Sequence, residues 1–299
     1  MRLRCTRLCL PLVAACSATP SLHDDLAARV AAFRGTAGVY VRHLGTGEEV
    51  AIAADETFPT ASLVKVPILG ALLARVEAGA LDYHAKLTYD ASRLYPGDDL
   101  LGSFADGRSL ELAKVAMLMI TTSDNTAALW CQELAGTGTA VNRWLEDQGF
   151  TATRVNSRTP GREAAKAEFG WGQTTPREMA EMLVRAREGT LQSAAASEEM
   201  MRCLARIYWD DEALSAIPPW VHTASKQGAV DRSRSEAVLV MAPHGDFVFC
   251  VVTKDQEDTS WRRDNEGFVL LRETAAACWR HFEPGLPYTM PAGSERFRY

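Results

Sequence analysis

The chain is short of lysine: 6 Lys stand against 26 Arg in 299 residues. A lysine at a patterned position is therefore informative. Histidine is equally sparse, and the 6 that occur (His23, His43, His84, His222, His244, His281) show no H-E-x-x-H or H-x-H spacing. That leaves a metallo-hydrolase without ligands and a chymotrypsin-like triad without a specific base. No excess of positive charge exists; the formal net charge is −6, which argues against a nucleic-acid partner. No internal repeat is visible. The longest apolar stretch at the N-terminus, Leu8 to Ala15, is too short to span a bilayer as a mature helix.

That stretch follows Arg2, Arg4 and Arg7 and ends in Val13-Ala14-Ala15-Cys16. Positive n-region, apolar core and small residues read as an export signal. Small residues before a cysteine suggest a lipid anchor at Cys16, with residues 1–15 removed; simple secretion with cleavage near Ala18 is the alternative. The mature chain is expected outside the cytoplasm, in a periplasmic space, as a monomer. Cys5, Cys9 and Cys16 belong to the leader. Cys131, Cys203, Cys250 and Cys278 remain, in no zinc-like spacing, and buried thiols and disulfides are both open for them.

The full chain is 47% hydrophobic and 23% charged, and the part after the leader is long enough for one large domain or two parts sharing a core. Helices are expected over Leu22–Phe33, from Ser62 onward, over Leu110–Ile120, 126–135 and 140–148, from Pro176 to Arg187, over Glu198–Tyr208 and over Glu266–His281. Thr175-Pro176-Arg177-Glu178 is a strong helix start. Strands are expected at Val39–Arg42, Glu49–Ala53, Ala237–Met241 and Phe247–Val252. Thr151 to Thr174 reads as a long irregular segment, the kind that is usually functional or disordered. Strands near both ends can pair into one antiparallel sheet flanked by the terminal helices. The expected fold is an α/β (α+β) sandwich with an all-α lobe. Residues 16–299 would form one catalytic domain: an α/β lobe at about 20–58 and 222–285, a helical lobe at about 60–215, and a cleft between.

One of the rare lysines lies in Ser62-Leu63-Val64-Lys65. On a helix, positions three apart share a face, so the amine can sit beside the hydroxyl and take its proton. Roughly 0.3 such matches are expected by chance, and a helix-starting Ser with a solvated Lys is the bland reading. The almost wholly apolar run Val66 to Ala74 favours the sharper one, because it buries the amine. Pro67 should cost that helix one backbone hydrogen bond. Two more elements follow in order: Ser123-Asp124-Asn125, whose chance probability is on the order of 1%, and Lys226-Gln227-Gly228.

S-x-x-K, S-D-N and a third K-x-G motif are the signature of the penicillin-recognising serine acyltransferases. In their order and gaps, and in Leu100-Leu101-Gly102 and Thr174-Thr175-Pro176, residues 22–282 resemble the class A β-lactamases. The resemblance implies a β-lactamase/DD-peptidase-like fold, no cofactor, and a small-molecule β-lactam or peptidoglycan-like substrate. It implies Ser62 as nucleophile, Lys65 as its base, and Ser123 as proton donor to the leaving nitrogen. Asn125 would bind the acylamino group and Lys226 a carboxylate, beside Gly228. The N–H groups of Ser62 and Ala229 would form the oxyanion hole, and Arg234 would assist with the carboxylate. Two departures stand out. The third motif carries Gln227 where the family has Thr or Ser. The family's deacylating Glu falls, by ungapped counting, on Thr159, leaving Glu163 as the expected replacement and Glu168 as a weaker one. A D-alanyl-D-alanine peptidase or esterase with slow deacylation, and a non-catalytic penicillin-binding lipoprotein, are the alternatives.

Overall fold

The computed structural model describes residues 20–97 and 99–297; the expectations for the leader and Cys16 lie outside them. Helix α1 (Leu22–Ala32) leads into β1 (Thr36–His43), β2 (Glu49–Ile52) and β3 (Phe58–Pro59). A 3-10 turn, Ala61–Val64, runs directly into α2 (Lys65–Glu77). The next part comprises β4 (Lys86–Thr88), β5 (Ser109–Glu111), α3 (Leu112–Thr121), α4 (Asn125–Leu134) and α5 (Thr137–Asp147). Then come β6 (Arg154–Val155), α6 (Glu163–Phe169), β7 (Gly172–Thr174), α7 (Pro176–Glu188) and α8 (Ala194–Leu204). The chain closes with β8 (His222–Val230), β9 (Ser233–Met241), β10 (Phe247–Lys254) and α9 (Glu266–Phe282).

The main sheet has the order β2-β1-β10-β9-β8, every neighbouring pair antiparallel. Period-two alternation explains its two faces. Phe247, Phe249 and Val251 of β10 join Val238 and Val240 of β9 against Leu26 of α1 and Leu270, Leu271 and Trp279 of α9. Val248, Cys250 and Val252, with Leu239, face the core shared with α2, α3, α4, α7 and α8. The sandwich expected from the sequence is thus present. A strand apolar on both sides carries almost no alternation in its letters, which is why β10 reads as one run.

Helix starts follow the capping rules. The hydroxyls of Ser21 and Thr175 accept the N–H groups of Asp24 and Glu178, at 3.1 Å each. Glu178 in turn collects the N–H groups of Thr151, Ala152 and Thr153, fastening the segment before β6 to α7.

Three expectations need correcting. The α-helix begins at Lys65, not at Ser62, so Pro67 falls in the first turn, where N–H groups have no helical partner anyway. Thr151–Thr174 is not structureless but holds β6, α6 and β7. The helix placed at Glu198–Tyr208 is α8, starting four residues earlier because Ser193 caps it through the Ala196 N–H. The four described cysteines are all free and buried.

Candidate active site

Ser62 sits in the 3-10 turn, held at the mouth of the buried helix α2. Lys65 through Leu73 are all buried, and Gly70 lets the Trp144 ring approach so closely that a Cβ there would lie 2.3 Å from it. Two residues with left-handed backbone flank the chemistry: Ala61 (φ 44°), immediately before Ser62, and Ser123 (φ 60°). For non-glycine residues that conformation is costly and persists only when the surroundings impose it. At Ser123 they do. Its carbonyl oxygen accepts from the Lys65 amine, and Asp124, next in line, caps α4 through the Ala127 N–H at 2.7 Å. The second Asp124 oxygen takes the Leu101 N–H at 2.8 Å. Asp99 accepts the N–H groups of Asn125 and Thr126 at 2.9 and 2.8 Å. Two carboxylates therefore fix the S-D-N turn from both sides. Sequence reasoning gave Asp124 no capping role, although an Asp just ahead of a helix is the signal for one; Asp99, 24 positions upstream of Ser123 in a Pro-Gly-Asp-Asp loop, carried no signal for this role.

These elements bring three predicted side chains to one point. Lys65 Nζ lies 3.0 Å from Ser62 Oγ, 3.0 Å from Ser123 Oγ and 2.8 Å from Asn125 Oδ1. Lys226 Nζ approaches Ser123 Oγ from the sheet side at 3.0 Å. Ser123 thus stands between two fully buried lysines. Burial pushes the Lys65 amine down to about 7, while Asp99 and Asp124 pull the other way. Lys226 is held well below the usual lysine range, first by burial and then by the Lys65 charge; Glu236 opposes both. Glu236, buried on β9, takes the Ser225 hydroxyl at 2.7 Å and the Ala213 N–H at 2.9 Å. Protonated Lys65 has three protons for four oxygen neighbours. Neutral, it donates two and offers its lone pair to the Ser62 hydroxyl, the arrangement a base requires.

Strand β8, at the sheet edge, closes the site. A Cβ on Gly228 would lie 2.7 Å from the Ser62 nitrogen and 2.8 Å from the Thr60 carbonyl oxygen. Only glycine permits this approach, which sets Ala229 beside Ser62. Ser62, Asn125 and Ala229 line two cavities at once. One, of ≈ 470 Å³, is walled by Tyr95 and Trp171, edge to face at 5.1 Å, and by Glu168 and Phe169. The other, of ≈ 430 Å³, is walled by Ser123, Gln227, Trp209, Trp261 and Arg263. Sequence reasoning missed Trp209, which belongs to the irregular stretch after α8. Its indole N–H donates to the Thr122 carbonyl at 2.8 Å.

Two expected site residues are elsewhere. Glu163 is exposed, takes the Gly161 N–H at 3.1 Å and lines neither cavity; it opens α6, whereas Glu168, near the far end of that helix, lines the larger cavity with Ser62. Arg234 is fully buried. Its guanidinium donates to the carbonyls of Val230, Ser233 and Ser260 and lies between Trp261 and Phe268, 4.5 Å from each ring centre. It also lines neither cavity. Thr159 is buried, its hydroxyl spent on the Ser157 carbonyl at 2.9 Å. Among the described residues no His, Cys, Asp and Glu group is arranged to hold a metal ion.

The fold is shared with solved β-lactamases and with PBP-A. It superposes with a TM-score of 0.77 on PBP-A (24% identity; 88% of this chain, 96% of that one), a mutant of which is known as an acyl-enzyme complex with penicillin G. A β-lactamase from Sphaerobacter thermophilus gives 0.77 at 23% identity, covering 88% and 98%. A class A β-lactamase from Mycobacterium abscessus gives 0.77 at 20%, covering 88% and 99%. The β-lactamase enzyme family model matches residues 21–282, and the chain belongs to that family.

Proposed function

We propose that the protein opens β-lactam amides by acylation of Ser62 and releases the product slowly. The observation that carries this reading is the unbroken line Ser62 Oγ–Lys65 Nζ–Ser123 Oγ–Lys226 Nζ, each step 3.0 Å. Neutral Lys65 takes the Ser62 proton as Oγ attacks the lactam carbonyl. The oxyanion is held by the N–H groups of Ser62 and Ala229; one such donor is worth roughly 3–4 kcal/mol. The proton passes from Lys65 through the Ser123 hydroxyl to the ring nitrogen as the C–N bond breaks, leaving an ester on Ser62. Asn125 supports the acylamino group.

Release needs an activated water. Thr159 has no basic group and Glu163 lines neither cavity, so the acyl-enzyme should persist; Glu168 and Asp255 are the carboxylates on the wall of the larger Ser62 cavity. General-base catalysis typically supplies 10²–10⁴-fold, and its loss favours a slow-releasing amidase or esterase over a fast lactamase. Export, with or without a lipid at Cys16, would place this chemistry where cell-wall amides and antibiotics are met. The test is intact-mass spectrometry after penicillin exposure. An adduct absent from Ser62→Ala and persisting for minutes is expected. Equal labelling of Ser62→Ala would sink the acylation claim, and return to the unmodified mass within seconds would sink the slow release.

A further inference from the structure

We propose that Gln227 makes the leaving-group end of the cleft a site for an uncharged carbonyl, an ester or amide, in place of a free carboxylate. This rests on Ser62 acylation and concerns what lies beyond the scissile bond. A lysine nitrogen has three protons to give as the ammonium and two as the neutral amine that burial favours here. Those of Lys226 have three acceptors within the chain: Ser123 Oγ at 3.0 Å, the Gln227 backbone carbonyl at 2.9 Å and the Gln227 side-chain Oε1 at 2.5 Å. The carboxamide oxygen stands where an incoming carboxylate would have to bind. A threonine or serine hydroxyl at 227 is too short to fold back in this way, and would donate to a carboxylate instead of competing with it.

The surrounding charges point in the same direction. Arg234, the expected second cation, is spent on three backbone carbonyls and enclosed by two aromatic rings. Arg263 is the arginine on the cavity wall, and its Nη1 donates to the Asp211 carbonyl at 3.3 Å. Asp99, Asp211 and Glu212 line the same cavity, Glu212 paired with Arg272 at 2.8 Å and Asp99 holding two backbone N–H groups, so none adds a cation for a carboxylate. A carboxylate entering there would meet acidic neighbours and a lysine already satisfied. An ester or amide would meet a carboxamide whose nitrogen can donate to its carbonyl, between the indole rings of Trp209 and Trp261.

The experiment compares a chromogenic cephalosporin carrying its ring carboxylate with the methyl ester of the same compound. Second-order rates of Ser62 acylation are read by stopped-flow and intact mass. Wild-type protein should acylate with the ester at least as fast as with the acid. Gln227→Thr should shift the acid-to-ester ratio about tenfold or more toward the acid. Gln227→Ala, which removes the folded-back amide without supplying a hydroxyl, should shift it the same way by less, and stands in if the threonine variant does not fold. A wild-type preference for the acid of roughly a hundredfold, or a ratio unmoved in both variants, overturns the inference while leaving acylation intact. No adduct from either compound overturns the acyl-enzyme reading and this inference with it.

Discussion

Acylation should titrate with Lys65, and the expected profile can be worked from its burial. Moving the amine from 10.5 to about 7 spans about 3.5 units, or about 5 kcal/mol at 1.36 kcal/mol per unit. At pH 7.4 a lysine of pKa about 7 is roughly 70% neutral, whereas an ordinary one is about 0.1% neutral. Burial therefore enlarges the population of competent base nearly a thousandfold. Since the neutral form reacts, the acylation rate should rise about tenfold per pH unit up to about 7 and then level off. Lys65→Arg, charged at every working pH, should lose about 10²–10⁴-fold. Stability gives an independent readout with a definite sign. Between about 7 and 10.5 the unfolded chain holds a proton that the folded chain has released, so unfolding free energy climbs with pH there; Lys226 adds in the same sense. The assay is penicillin acylation from pH 5 to 9, with denaturant midpoints from pH 7 to 9.5. An acylation rate independent of pH, or Lys65→Arg at wild-type rate, would refute Lys65 as the base.

Gly228→Ala should cut acylation at least tenfold with a far smaller change in melting temperature, because the new Cβ pushes β8 off the Ser62 nitrogen; a wild-type rate would show that the close approach is unnecessary. Asp124→Ala strips partners from the Ala127 and Leu101 N–H groups and should cost about 1–3 kcal/mol, measured by urea unfolding. Glu163→Gln should leave the lifetime of the acyl-enzyme unchanged, and Glu168→Gln should lengthen it by about tenfold or more if Glu168 supplies what release there is; a longer lifetime in Glu163→Gln would return that residue to the site.

The chemistry was legible where a side chain works through a neighbour close in sequence. Ser62 and Lys65 are three residues apart, and a buried helix behind them is visible as an apolar run. The Ser123 turn and the Lys226 strand were legible only because their motifs recur in order in a known family. Arg234 was misplaced for a physical reason. What neutralises it is a set of carbonyls and rings, at Ser260, Trp261 and Phe268, that no local pattern connects to β9. Counting without gaps put the family's Glu on Thr159 and left Glu163 as its replacement, and counting cannot see that the last residues of α6, not its first, line the Ser62 cavity. The role of Gln227 as a ligand of its own neighbour depends on a side-chain fold-back that the letters do not encode.

The pairing of β1 with β10 has a consequence for when the enzyme comes into being. Thr36 lies opposite Lys254, more than two hundred residues later, and the same two strands carry the middle of the sheet. Ser62 and Lys65 leave the ribosome early, yet Lys226 and Gly228 arrive on β8 only after three quarters of the chain has been made. A growing chain therefore holds a nucleophile without its cleft. It has no centre sheet to fold around until synthesis is nearly over, so the nucleophile and the groups that would activate it come together only at the end.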